Sequence, residues 1–166
     1  VKTIVCDFIN DDIGLNNYDL ISMWEVIEHI HPSKLDEVMK KIYNALKPGG
    51  SFIFSTPNYS DPVCKAFDFF AMVPPFHLLC FSKNWLVKYF KGKKCWDIVD
   101  IKSNNDFYND GVMWFEYLSK TAPSFQLKSF LELLKNYYEE GHLNHMKEFL
   151  SKKDFGSEII FTLRKI

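Results

Sequence analysis

The chain of 166 residues is long enough for one domain with a substantial hydrophobic core. Its net charge of −1 gives no electrostatic argument for a nucleic-acid surface, although a local patch could still hold a short RNA. No apolar stretch reaches the length of a membrane span and no signal peptide is recognisable, so we expect a soluble, cytoplasmic protein. Four cysteines form no C-x-x-C pair, and we interpret them as buried, reduced thiols.

Three strands and one helix are predicted in the first third of the chain. The β-branched run KTIVCDF (2–8) is typical of a buried strand, and YDLISM (18–23) is a second apolar strand of the kind that a parallel sheet buries on both faces. Helical spacing of apolar residues starts after Ser33, a candidate N-cap, and KPGG (47–50) is expected to end that helix. SFIFSTP (51–57) follows as the third strand. Strand, helix, glycine turn and strand together predict a βαβ unit with a parallel pair.

Predicted strands and helices alternate less regularly in the rest of the chain. The aromatic, proline-broken segment 58–81 is either a short helix and loop that cover an active site or a packed surface excursion. A capped helix at 82–90 and a strand at 95–102 are predicted next. Residues 110–151 have mostly helical apolar stripes, and 157–165 is the last strand. This order predicts an α/β domain with a helical insertion before its final strand.

Candidate binding residues follow the ends of the predicted strands, where open α/β sheets hold their ligands. Three candidate groups lie there: Asp7 and Phe8 end the first strand, Trp24 and Glu25 end the second, and Thr56, Pro57 and Asn58 end the third. An acid at such a position suits a ribose hydroxyl or an adenine amino group, and an apolar neighbour can stack on the base. A strand-end Asp that merely caps a turn is the more common alternative.

The stretch SMWEVIEHIHP contains two glutamates and two histidines within seven residues. If a helical turn begins at Trp24, then Glu25, Glu28 and His29 share one face. Such a trio could bind a divalent cation, with oxygen ligands favouring Mg²⁺ or Mn²⁺, or could act without a metal as a general base. Acids that complement a helix N-terminus beside surface histidines are the third possibility. His77 is the expected distant partner of the trio.

Three longer runs carry a resemblance to a known family. YDLISMWEVIEHI, ALKPGGSFIFSTPN and HLLCFSKNWL together resemble the second half of a class I S-adenosylmethionine (SAM)-dependent methyltransferase. The resemblance extends over about residues 1–102, and 157–165 matches the usual antiparallel last strand. The chain is most similar to the O-methyltransferases of ubiquinone biosynthesis and to the small-RNA 2′-O-methyltransferases. The implied fold is a Rossmann-like, mostly parallel sheet.

The resemblance also implies roles for the candidate residues. In both groups an E-x-x-E-H motif and a later histidine accompany a divalent metal, Mg²⁺ or Mn²⁺, beside the acceptor hydroxyl. The implied catalytic residues are Glu25, Glu28 and His29, and the implied metal ligands are these three with His77. The implied cofactor contacts are Asp7 and Phe8 at the adenine and the backbone of Met23 and Trp24 near the methionine part of SAM.

One part of the family pattern has no counterpart here. The family's glycine-rich cofactor loop and first strands, which precede the matched part, have no counterpart in this sequence, so the expected fold is incomplete. In the family's sheet order, the missing strands would lie between the strand at 2–8 and the strand at 18–23. We expect a fragment of a longer enzyme, although a partner chain could supply the missing half or 2–8 could pack unusually. A single partial methyltransferase domain is expected over 1–166, with a core at 1–105, a helical insertion at 106–151 and the last strand at 157–166.

Two functions remain open at this point. The first is methyl transfer from SAM to a hydroxyl of a small molecule or RNA, with this chain alone inactive and binding SAM weakly or not at all. The second is a non-catalytic methyltransferase-like module that binds a partner and has lost the cofactor loop.

Overall fold

A computed structural model describes residues 5–60, 74–75, 77–104, 124–126, 128–129, 132–133 and 158–166. Its elements in chain order are strand β1 (Tyr18–Trp24), 3₁₀ turns at Ile27–His29 and Pro32–Lys34, helix α1 (Leu35–Ala45), strand β2 (Leu46–Pro57), helix α2 (Lys83–Lys93), strand β3 (Trp96–Asn104) and strand β4 (Glu158–Lys165).

The four strands form one sheet in the order β1-β2-β4-β3. β1 and β2 are parallel and are joined through α1, which confirms the predicted βαβ unit. β4 runs antiparallel to both β2 and β3, as expected for the last strand. The α/β, Rossmann-like class is therefore confirmed. Because β4 is antiparallel, its first residue lies at the same edge as the carboxyl ends of β1 and β2.

The start and end of α1 differ from the sequence prediction. Ser33 is not its N-cap, because it lies inside the 3₁₀ turn Pro32–Lys34, where its own N–H donates to His31 Nδ1. The helix ends at Ala45, and β2 begins at once, so KPGG lies within the strand instead of ending the helix. The pairing of β1 with β2 shifts register there, and Gly49 adopts a positive φ of 76° that favours glycine.

The two helices bury aromatic and aliphatic side chains together with the sheet. The α1 residues buried in this core are Leu35, Val38, Met39, Ile42 and Ala45. Ser82 caps α2 by accepting a 3.3 Å hydrogen bond from the N–H of Trp85, and α2 buries Leu86 and Phe90. Phe54 of β2 stacks on Phe161 of β4 with a centroid distance of 5.4 Å. The core thus fixes the strands whose ends form the site.

β1 is the edge strand of the described sheet. The prediction that it is buried on both faces is wrong, because Leu20 and Trp24 are each 54% exposed, whereas Met23 is buried in the core. Among the described strands β1 pairs with β2 alone, which explains its open edge.

The strand predicted at 2–8 is also wrong for its described part. Val5 is 98% exposed, and the chain forms a turn over 7–11 in which the N–H of Asp11 donates to the carbonyl of Asp7. The three described cysteines are free, as expected, but they are less buried than predicted. Cys6 and Cys80 are exposed, and Cys95 is half-buried. Cys64 and residues 1–4 lie outside the described residues.

Two predicted segments fall largely outside the described residues. Most of 58–81 is among them, and so is most of the helical insertion at 106–151. The described residues 125–126, 128–129 and 132–133 have helical backbone. The division of the domain therefore stays a prediction. Within the described ranges no helix is both long enough and apolar enough to cross a membrane.

Candidate functional site

The turn after β1 places Glu25 beside the end of β2. Glu25 has a positive φ of 54°, so the chain turns sharply there and no helix begins at Trp24. Its N–H donates to Ser55 Oγ at 3.2 Å, and Ser55 Oγ donates back to Glu25 Oε1 at 2.7 Å. A non-glycine residue in this conformation costs on the order of 1–3 kcal/mol, which the two bonds to Ser55 help to offset. The shared helical face predicted for Glu25, Glu28 and His29 is therefore wrong.

Glu28 and His29 lie instead in the 3₁₀ turn Ile27–His29. The Glu28 side chain is only 1% exposed, and its Oε2 accepts a 3.1 Å hydrogen bond from Thr56 Oγ1 of β2. The backbone carbonyl of Glu28 accepts from the N–H groups of Leu78 and Leu79 at 2.9 and 3.0 Å. These two bonds hold the segment after His77 against the turn, which is how a residue 49 positions downstream of Glu28 reaches the site.

The carboxylate of Glu28 and the rings of His29 and His77 converge. His29 Nε2 lies 3.7 Å from Glu28 Oε1, and the two imidazole rings meet edge to face with a centroid distance of 4.8 Å. One ligand atom from each of the three lies within 4.8 Å of the others, so this group could hold a metal ion. Glu28 Oε1 and His77 Nδ1 are buried and have no hydrogen-bond partner in the described part of the chain. Two buried polar atoms without a partner, in two of the three residues of this group, fit a bound cation.

The donor set differs from the predicted one in a way that matters for the metal. Glu25 is not a member of the group, because Ser55 and the left-handed turn direct it elsewhere. One carboxylate and two imidazoles remain, a set richer in nitrogen than two carboxylates and one imidazole. Such a set suits Mn²⁺ better than Mg²⁺, which prefers oxygen ligands.

Burial and neighbouring charges shift the pKa values of the titratable side chains at this edge of the sheet. Burial raises the pKa of Glu28 to about 7, and the charge of Glu158 adds to the rise. The pKa of Glu25 also rises to about 7, first through burial and then through the charges of Glu28 and Glu158. Burial, and then the nearby His29, lowers the pKa of His77. The site can therefore take up or release protons near neutral pH.

Sequence reasoning missed two residues of this site. Ser55 orients Glu25, and Glu158 at the start of β4 raises the pKa of two carboxyl groups and hydrogen-bonds the Glu25 side chain. The signal for Ser55 is its place in STPN at the end of β2. The signal for Glu158 is that an acid opens an antiparallel last strand, which puts it at the ligand edge.

The four expected cofactor residues lie in two parts of the structure, the turn 7–11 and the end of β1. Both carboxylate oxygens of Asp7 accept hydrogen bonds inside the turn 7–11: Oδ1 from the N–H groups of Ile9 and Asn10, and Oδ2 from Asn10 Nδ2 at 2.6 Å. These bonds hold the pKa of Asp7 below its usual value, and they match the turn-capping alternative. Phe8 is half-buried beside α1. Met23 is buried, whereas Trp24 exposes half of its surface at the end of β1.

Comparison with known proteins identifies the family. The model of a methyltransferase domain matches residues 7–98, more than half of the chain. The chain belongs to the methyltransferase domain family. The resemblance to class I SAM-dependent methyltransferases is thereby confirmed, whereas comparison with curated proteins finds no match.

Solved structures of methyltransferases share the fold at low sequence identity. A SAM-dependent methyltransferase from Archaeoglobus fulgidus is 16% identical with a TM-score of 0.56, over 98% of this chain and 66% of its own. Phosphoethanolamine N-methyltransferase 2 from Haemonchus contortus, solved with S-adenosyl-L-methionine, is 14% identical with a TM-score of 0.54, over 96% of this chain and 36% of its own. The small RNA methyltransferase HEN1 is 15% identical with a TM-score of 0.54, over 96% of this chain and 15% of its own. The methyltransferase chain described here thus spans two thirds or less of the length of these structures.

Proposed function

We propose that this methyltransferase transfers a methyl group from SAM to a hydroxyl of its acceptor, and that Glu28 receives the hydroxyl proton. The observation that carries the proposal is the buried Glu28 carboxyl, with a pKa near 7, facing His29 and His77 at the carboxyl edge of the sheet. A hydroxyl oxygen must lose its proton as it attacks a methyl group. A general base whose pKa lies near the working pH accepts that proton most effectively.

The two oxygens of Glu28 have separate tasks in this proposal. Thr56 holds Oε2 and so orients the carboxylate, while Oε1 is the atom that meets the acceptor proton. His29, with a side chain 51% exposed, lies 3.7 Å from that oxygen and connects it to solvent. Glu25 contributes charge and keeps the turn in place from the Ser55 side. Holding donor and acceptor in line against this base supplies much of the rate enhancement.

A second version of the proposal places a divalent cation at Glu28, where it takes over the activation of the hydroxyl from Oε1. Glu28 Oε1, His29 and His77 Nδ1 would hold it, and Mn²⁺ fits these ligands better than Mg²⁺. Bound there, a cation would lower the pKa of an acceptor hydroxyl. The same three residues support proton removal without a metal, so the two versions differ in a measurable way.

The methyl donor is assigned to the end of β1 and to the turn 7–11. Trp24 exposes a large ring directly before Glu25, where an apolar surface suits the cofactor, and only the backbone of buried Met23 is available to it. Phe8 offers its ring to the adenine, and Asp7 acts mainly by shaping the turn that presents Phe8. Family membership and the Glu28 site favour this catalytic reading over a non-catalytic binding module.

The acceptor class is tested by following a labelled methyl group. The intact gene product is incubated with methyl-tritiated SAM and separated RNA and small-molecule fractions of a cell extract. We expect label in a hydroxyl of one fraction, and its loss with Glu28→Gln. Label in neither fraction, or label on nitrogen or carbon, would contradict the proposal.

A further inference from the structure

Lys41 of α1 donates to three backbone carbonyls of one short turn. Its Nζ lies 2.8 Å from the carbonyl oxygen of Phe8 and 3.0 Å from that of Ile9, and it also donates to the carbonyl of Asp11. The same ammonium lies 5.7 Å from the centroid of the Phe8 ring. All three carbonyls belong to the segment 7–11.

An ammonium group has three N–H donors, and all three are used here. Asp7 and Lys41 bind different backbone groups of the turn. The carboxylate of Asp7 accepts from its N–H groups, and the ammonium of Lys41 donates to its carbonyls. Carbonyls that converge on one point repel one another unless a cation lies between them. Lys41 therefore serves as the cation of this turn and ties it to α1.

α1 connects this turn to the Glu28 site. The 3₁₀ turn Ile27–His29, which carries Glu28, is followed by the 3₁₀ turn Pro32–Lys34 and then by α1, and Lys41 lies in the second half of α1. The turn 7–11 is thus bonded to the helix that follows the Glu28 site in the chain. Loss of the ammonium would leave Phe8 attached only by its partial packing against the core.

We propose that Lys41 is a positioning residue that fixes the turn 7–11, and with it the Phe8 ring, for the adenine end of the methyl donor. This inference rests on the proposed SAM-dependent function. It assigns no chemical step to Lys41, which does not need to touch the reacting atoms. It predicts an effect on donor binding that is separate from the rate of methyl transfer.

The test compares Lys41→Met with Lys40→Met in the intact gene product. Lys40 is an exposed neighbour on α1 and keeps the charge change the same. Calorimetry with SAM and with adenosine measures donor affinity, and amide hydrogen exchange without ligand measures the mobility of residues 9–11. We expect Lys41→Met to raise both dissociation constants by a similar factor of about ten, to speed exchange at 9–11, and to leave the kcat at saturating SAM within about twofold.

The outcomes separate this inference from the proposed function. Lys40→Met should match the wild type, and Lys41→Arg, which keeps the cation, should recover most of the affinity. Lys41→Gln, which also removes the cation, replaces the Met variant if that one fails to fold. Wild-type affinity and exchange in Lys41→Met would overturn the role of Lys41 alone. A wild-type protein that binds neither SAM nor adenosine would contradict the proposed function itself, while the exchange comparison would still decide whether Lys41 holds the turn.

Discussion

Thr56 Oγ1 at the end of β2 donates a 3.1 Å hydrogen bond to Glu28 Oε2 in the turn after β1. Both side chains are buried, so the bond fixes a carboxyl group away from water at the edge where two parallel strands end. The other carboxylate oxygen, Oε1, lies 3.7 Å from His29 Nε2.

The first prediction concerns stability and pH. Because Glu28 binds its proton more tightly when folded, the folded protein holds more protons than the unfolded chain between about pH 4.5 and 7. Stability therefore falls as the pH rises through that window. We expect Glu28→Gln to be more stable than the wild type at pH 8, by about 1–2 kcal/mol after allowance for solvent screening, and nearly equal at pH 4.5.

Urea unfolding at several pH values measures this effect. Glu37→Gln is the matched control, since Glu37 is exposed on α1 and pairs with Lys34 at 2.7 Å. Its stability should change by less than about 1 kcal/mol at any pH. Equal pH profiles for the wild type and Glu28→Gln would contradict the raised pKa.

The second prediction concerns the turn at Glu25. Ser55→Ala removes both hydrogen bonds that support the left-handed conformation, so we expect a loss of about 1–2 kcal/mol in the free energy of unfolding. Ser51→Ala, four residues earlier on the same side of β2, should cost less than about 0.5 kcal/mol. If the two variants unfold at the same urea concentration, Ser55 does not stabilise the turn.

The third prediction concerns the exposed ring of Trp24. Trp24→Ala should weaken SAM binding by about tenfold, because the ring offers the cofactor a large apolar surface, and should change the unfolding free energy by less than about 1 kcal/mol. Leu20→Ala removes an equally exposed side chain from the same face of β1 and should bind SAM as the wild type does. Calorimetry on the intact gene product compares the three proteins, and equal losses in both variants would point to a general effect on β1.

The fourth prediction concerns the cation. We expect Mn²⁺ to bind more tightly than Mg²⁺, and His77→Ala to lose at least about tenfold in Mn²⁺ affinity. Glu25→Gln should bind Mn²⁺ nearly as well as the wild type, because Glu25 lies outside the group. Titration calorimetry in chelator-treated protein measures all four affinities. A greater loss in Glu25→Gln than in His77→Ala would restore the original assignment of Glu25 as a ligand.

The sequence predicted the parts of the fold that repeat a regular pattern. The apolar spacing of α1, the Ser82 cap of α2 and the apolar run of β4 are local signals, and each element forms near its predicted place, although α1 begins and ends at other residues than predicted. The strand prediction is wrong for the described residues 5–8, because the turn at 7–11 depends on bonds to Asp7 and Lys41 that form only in the folded chain.

The site could be predicted in composition but not in geometry. Glu28 and His29 were identified by density and motif, and His77 by its place in the aromatic segment. No sequence pattern shows that Glu25, a residue with a side chain, adopts a positive φ and turns away from them. Glu158 reaches the site only through the register of β4, 130 positions after Glu28.

In the proposed reaction, Glu28 acts on the acceptor and not on the methyl donor. The most direct measurement is SAM binding and methyl transfer by the wild type and Glu28→Gln of the intact gene product, under the same conditions. We predict equal SAM dissociation constants within about twofold and a transfer rate at least about a hundredfold lower in Glu28→Gln. Equal transfer rates in the two proteins, or no SAM binding by either, would contradict this prediction.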